Sequence, residues 1–226
     1  MTSLHFTAMN WLRKLIGHRR DDSAEPGSQR AVAQHRTTPS LEEQIAILEQ
    51  CGIRLRRGIT VNDLLESWDR QDFATKPFLY AVLALGGELD GRDFERVSDN
   101  LWHFDTECIE NEGDYVRIAE RVRDLALGEL PMANIADEVD YESERASLDF
   151  DLDGRHIHWD LKFEDDWVDP KIFDRFKELL AARHASRRLT YLDLGGQDCI
   201  VGCATPDEFA RLKQLTGLRW QWMADA

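Results

Sequence analysis

The residues best suited to chemistry lie between Leu148 and Asp160. Asp149, Asp151, His156, His158 and Asp160 alternate there with Leu148, Phe150, Leu152, Ile157 and Trp159, on either side of Asp153-Gly154. Asp-Gly between two alternating runs signals a two-residue hairpin turn. The register that follows sets Leu152 against Arg155, Asp151 against His156, Phe150 against Ile157, Asp149 against His158 and Leu148 against Trp159. One face of this hairpin is apolar and the other holds two Asp/His pairs. His156, His158 and Asp160 spell His-x-His-x-Asp, which places three potential metal ligands on one side of a strand.

The string is similar to the His-x-His-x-Asp-His of the metallo-β-lactamase fold, but Leu161 stands where the last His belongs and no later His cluster completes a site. Cross-strand ion pairs on a solvated face, worth about 0.2–1 kcal/mol each, are the preferred reading of these residues. No cofactor is expected. Cys199 and Cys203 match neither a redox nor a zinc spacing and read as small buried hydrophobes. Gly195-Gly196 precedes a strand rather than a helix, so it is a turn and not a phosphate loop. Paired carboxylates such as Asp137 with Glu138 are too common in this chain to mark a general acid. Two segments do combine acids with aromatics: Trp102 to Glu107, and Trp159 to Asp169. Rings that supply buried area inside a rim of acids suit an interface for a basic protein. The candidate binding residues are Asp105, Glu107, Glu110, Glu112, Asp149, Asp151, Asp165, Asp166 and Trp167, while Trp102, Phe104 and Phe163 are expected in the core.

Charge distribution points the same way. The 226 residues carry a formal charge of −15, yet residues 1–38 hold six basic and three acidic residues, so the excess belongs to the rest. Between Asp105 and Asp169 there are 21 acids against six bases. Affinity for nucleic acid is built by Lys and Arg displacing counterions, so such a body repels a phosphate backbone. Four cysteines in a chain this long fit a reducing compartment. The N-terminus interleaves Trp11, Leu12, Leu15 and Ile16 with basic residues, which is wrong for a signal peptide. The longest apolar run, Phe78 to Leu85, falls well short of the roughly 20 residues that span a bilayer. A cytoplasmic protein is expected.

The elements that must position these residues read as an α+β fold. Residues 1–39 form a flexible basic tether, 40–135 a mainly helical region, and 136–226 a β-β-α-β-β-α sheet unit with helices on one face, possible as one body with 40–135. Ser40 with Glu43, Thr60 with Asp63, and Thr205-Pro206 with Glu208 have the spacing of capping boxes that open helices. Tyr115, Ile118, Ala119, Val122 and Leu125 repeat at helical spacing, with Arg117, Glu120, Arg121 and Asp124 on other faces. Asp169 and Pro170 start a helix that is expected to bury Ile172, Phe173, Phe176, Leu179 and Leu180. Leu189 to Leu194 and Asp198 to Cys203 form a second hairpin, and Trp220 and Trp222 sit on a last short strand.

The segments SLEEQIAILEQCGIRLRRGITVNDLLESWDR, LWHFDTECIENEGDYVRIAERVRDLA, DDWVDPKIFDRF and YLDLGGQDCIVGCATPDE, spread over residues 40–217, resemble a family of uncharacterised bacterial proteins associated with immunity-type proteins of toxin systems. The resemblance implies an association with toxin systems and brings neither a mechanism nor catalytic residues with it. Together with the acidic and aromatic surface it leads to the expectation of an immunity-type inhibitor that covers a basic toxin active site. Two alternatives stand beside that expectation: a metal-dependent enzyme built on the Asp/His hairpin, and an adaptor held at a membrane by the basic tether.

Overall fold

The computed structural model of the chain describes residues 38–223. The expected tether over residues 1–39 falls, but for its last two residues, outside this range.

Local signals open the helical part. Ser40 Oγ accepts the Glu43 amide at 3.2 Å while Glu43 Oε2 accepts the Ser40 amide at 2.7 Å, and this reciprocal box starts α1 (Leu41–Gln50). Asp63 does the same for Thr60 ahead of the single turn α2 (Val61–Leu64). Two short helices follow, α3 (Arg70–Thr75) and the apolar α4 (Leu79–Gly86). One buried polar side chain ties them together. Gln44 Nε2 donates to the carbonyls of Pro39 and Phe73, both at 3.0 Å, and its Oε1 accepts the Phe78 amide at 2.7 Å. A Cβ on Gly86 would lie 2.7 Å from the backbone nitrogen of His103, so only glycine lets α4 end flush against the next strand.

That strand, β3 (Leu101–Asp105), lies inside the region expected to be mainly helical. It follows the small hairpin of β1 (Glu88–Leu89) and β2 (Glu95–Arg96) and precedes α5 (Asp114–Leu125). After α5 come β4 (Ala133–Asp140), β5 (Arg145–Leu152), β6 (Arg155–Lys162), α6 (Lys171–Ala182), β7 (Arg188–Asp193), β8 (Asp198–Ala204), α7 (Pro206–Thr216) and β9 (Gln221–Trp222). The fold is α+β. The β5–β6 register matches all five pairs read from the Asp153-Gly154 turn, and both turn residues take the positive φ that such a turn needs, 52° and 73°.

The two hairpins do not share a sheet. β5 and β6 join β4 in one antiparallel sheet, ordered β4-β5-β6, whereas β7 and β8 join β3 and β9 in another, ordered β3-β8-β7-β9. Their sequences account for the separation. β5 alternates buried with half-exposed positions, so one of its faces meets solvent, but β7 and β8 are buried at nearly every position and need cover on both faces. Leu192, Ile200 and Ala204 pack with α1–α4 and α7 on one side, and Tyr191, Cys199 and Val201 pack with α5 and α6 on the other. Helix α6 is held between the sheets, with Phe173 edge-on to Phe104 of β3 at 5.2 Å and Phe176 edge-on to Trp159 of β6 at 5.0 Å. Residues before and after position 135 enter both apolar clusters, so neither core respects that boundary. Phe104 and Phe163 are buried as expected, and Trp102 is half-buried against the same core. Arg121, expected on a polar face of α5, is instead buried.

Gln44→Leu keeps the volume but strands the Phe78 amide and two carbonyls away from water. We expect a loss of about 2–4 kcal/mol, read as a lower urea midpoint at unchanged slope.

Candidate functional site

The antiparallel pairing of β3 with β8 ends at Asp105 opposite Asp198, but hydrogen bonding continues beyond it. The buried Thr106 donates from its amide and its hydroxyl to the Gln197 carbonyl, at 3.2 and 2.8 Å, and accepts the Val168 amide at 3.0 Å. Glu107 bridges Trp167, and the amides of Cys108 and Ile109 both donate to the Asp166 carbonyl at 2.9 Å. The Gln197 side-chain amide then holds two carboxylates together, donating to Asp105 at 3.2 Å and to Glu107 at 2.9 Å. Three loops separated by up to 92 residues of chain are thereby laced into one platform bearing Asp105, Glu107, Asp165 and Asp166, with Trp167 half-buried among them. Among the described residues, no Lys or Arg forms an ion pair with any of these four acids.

The loop that carries Glu110 and Glu112 is shaped by two other acids. Asp114 Oδ2 accepts the Glu110 and Asn111 amides, both at 2.7 Å. Asp137, from β4, accepts the Gly113, Tyr115 and Val116 amides at 2.8, 2.9 and 3.2 Å, a cap for α5 supplied from another element. Tyr141, in the turn after β4, packs edge-on to Phe163 at 5.3 Å and is 46% exposed. Its phenol is pushed up by desolvation and then by Asp114, Asp137, Glu110 and Glu112, so those acids surround it. Tyr141, Gln197 and Asp137 were not identifiable from spacing: Tyr141 sits in an acidic stretch with no hydrophobic period. Below the platform, the buried Tyr115 hydroxyl donates to the Lys162 carbonyl and accepts the Asp169 amide, both at 3.0 Å, which pins the loop after β6 to α5.

Asp149 and Asp151 are not part of this platform. They lie on the outward face of β5, where Asp149 Oδ1 is 3.0 Å from His156 Nε2 and 2.9 Å from His158 Nδ1. His156 Nδ1 is 3.4 Å from Asp151, which also accepts the Asn134 side chain at 2.7 Å, and His158 Nε2 is 3.5 Å from Asp160. The contact with Asp149 raises the His158 imidazole above its ordinary 6.5. Among the described residues no group of three or more His, Cys, Asp or Glu is arranged to hold a metal ion. The four cysteines are free, and burial pushes the thiols of Cys108, Cys199 and Cys203 up to about 12, far from the range of a thiolate nucleophile. No helix among the described residues is long and apolar enough to cross a membrane.

Comparison with known proteins returns no match: no family model fits the chain, and neither a curated protein nor a solved structure is significantly similar to it.

Because the folded-state pKa of His158 is raised, its share of stability is present below its unfolded pKa and is lost as pH rises through the folded value. Asp151 is lowered, by Asn134 first and then His156, so its share is present above its unfolded pKa and lost as pH falls through the folded one. We expect the His158 ring resonances to titrate above 6.5 by NMR, and to return toward that value in Asp149→Asn.

Proposed function

We propose that this chain is a protein-binding module that captures a basic protein on the acidic platform of the loops after β3 and β6, and that its partner is a toxin whose basic active site the platform covers. The observation that carries this reading is the lacing itself. Asp105, Glu107, Asp165 and Asp166 have no Lys or Arg partner among the described residues, and they stand on backbone already fixed by hydrogen bonds from Thr106, Cys108, Ile109 and Val168. Acids on an ordered backbone attract Lys and Arg over long range and lose little freedom on contact, which favours fast association. Half-buried Trp167 and exposed Tyr141 give the same end of the molecule apolar area for a partner to cover. Immunity-type inhibition is consistent with this charge distribution, since an acidic surface is complementary to an active site built to hold phosphate or nucleic acid.

The test is a search of the genes beside this chain's own for a secreted toxin, followed by co-expression with it; absence of such a gene counts against the inhibitor reading. The wild-type chain is expected to restore growth, Asp105→Asn/Glu107→Gln/Asp165→Asn/Asp166→Asn to lose rescue while keeping its circular dichroism spectrum, and Asp149→Asn/Asp151→Asn to retain it. In vitro, the platform variant is expected to bind the purified toxin about 10- to 100-fold more slowly at low salt. No rescue by the wild-type chain overturns the inhibitor reading, and rescue lost only in the β5 variant moves the interface to the sheet face.

A further inference from the structure

A second feature runs against the acidity of the molecule. A cleft of about 340 Å³ opens between the end of α4, Phe94, β3 and the first turns of α5. Arg121 lines it and is 6% exposed, with Nη2 donating to the Leu101 carbonyl at 3.1 Å and the guanidinium 5.7 Å from the centre of the Trp102 ring. Its Nε is buried with no hydrogen-bond partner. Nearby arginines are neutralised: Arg96 pairs with Asp124 at 2.6 Å and Arg117 with Asp114 at 3.2 Å. Among the described residues no carboxylate forms an ion pair with Arg121, in a chain of 43 acids and 28 bases. A buried cation that Glu88, Asp124 and Asp99 offset only through space, with none of them in contact, is costly, and replacing it by an apolar side chain would remove that cost.

At the rim stands Phe94, 64% exposed and held at φ 56°, a conformation that bulky residues avoid. Strain of this kind persists where the surrounding structure enforces it and collects at binding sites. Phe94, Trp102 and Ile118 give the cleft apolar walls, and its volume lies at the lower end of the roughly 300–1,000 Å³ of small-molecule sites.

We propose that this cleft binds a small apolar or aromatic monocarboxylate, with the carboxylate on the Arg121 guanidinium and the apolar body against Phe94 and Trp102. A planar fork of donors matches a carboxylate in two places at once. A dianion such as phosphate is disfavoured, because Glu88 and Asp105 also border the cleft and only one unpaired cation faces it. The cleft meets the acidic platform at Asp105, but its ligand does not depend on the partner proposed for the platform.

The experiment is a calorimetric and ligand-observed NMR titration of the full chain with benzoate, phenylacetate and indole-3-acetate, with benzyl alcohol and inorganic phosphate as controls. At least one carboxylate is expected to bind saturably at a single site, benzyl alcohol not to bind, and phosphate to bind more weakly than the best carboxylate. Arg121→Met is expected to weaken that ligand by about tenfold or more while unfolding at no lower temperature than wild type. Phe94→Ala, at an exposed position, tests the site even if Arg121→Met fails to fold, and is expected to weaken binding about three- to tenfold. Glu107→Gln/Asp165→Asn/Asp166→Asn, which alters no residue lining the cleft, is expected to bind the carboxylate as wild type does, so failure here and failure of toxin inhibition are distinguishable. Absence of saturable binding by all three acids, equal affinity in Arg121→Met, unchanged affinity in Phe94→Ala, or tighter binding of phosphate overturns the proposal.

Discussion

The pairing of β3 with β8 is the constraint on which the rest of the molecule depends. Five residues, Leu101–Asp105, join the part of the chain that folds into α1–α4 to the sheet formed by its last quarter. One end of the strand supplies the Leu101 carbonyl that holds Arg121, and the other runs on through Thr106 into the lacing of the acidic loops. Between them, Phe104 turns into the core against Phe173 while Trp102 forms a wall of the cleft. Both candidate sites are therefore built on one short strand, and their geometry is inherited from its pairing with β8, which is buried on both faces. Sites supported in this way lose less to reordering than sites on free loops.

A count of acids overstates what the surface offers a partner. Asp63, Asp114, Asp137, Asp169 and Glu208 accept backbone amides at helix starts or in the loops beside them, and Asp124 and Glu208 also pair with arginines. Part of their charge is engaged inside the fold, on donors that would otherwise depend on water. The acids left for long-range attraction are those that neither cap a helix nor pair with an arginine, and several of them gather on the loops after β3 and β6. The Asp/His ladder on β5 and β6 is intermediate, since its carboxylates face imidazoles, and the His158 ring is raised by its contact with Asp149.

Local chemistry was readable in the sequence, and distant pairing was not. The β5–β6 register followed from Asp153-Gly154, and the starts of α1 and α7 from Ser40 with Glu43 and Thr205 with Glu208, because each is a contact within a few residues. Strand β3 escaped because its alternation is brief and its partner lies almost a hundred residues further on. Strand β4 escaped because its apolar residues, Ile135 and Val139, are four apart in an acidic edge strand, a spacing as suited to a helix as to a sheet. The acidic segments around Asp105 and Asp165 were identifiable from composition, but their meeting through Gln197 was not, nor was the inclusion of Asp149 and Asp151 in a different surface. Arg121 could not be distinguished from the exposed charges around it on α5, because helical spacing gives a residue's face and not whether a second sheet covers it.

The central claim is that the acidic loops form a platform ordered before any partner arrives, and amide hydrogen exchange tests it directly. In the free protein, the amides of Thr106, Cys108, Ile109 and Val168 should be protected to nearly the same degree as those of Ile200 and Val201 in the centre of β8, since one hydrogen-bonded network holds them. Exchange of the four loop amides at the rate of an unstructured peptide, while Ile200 and Val201 stay protected, would contradict it.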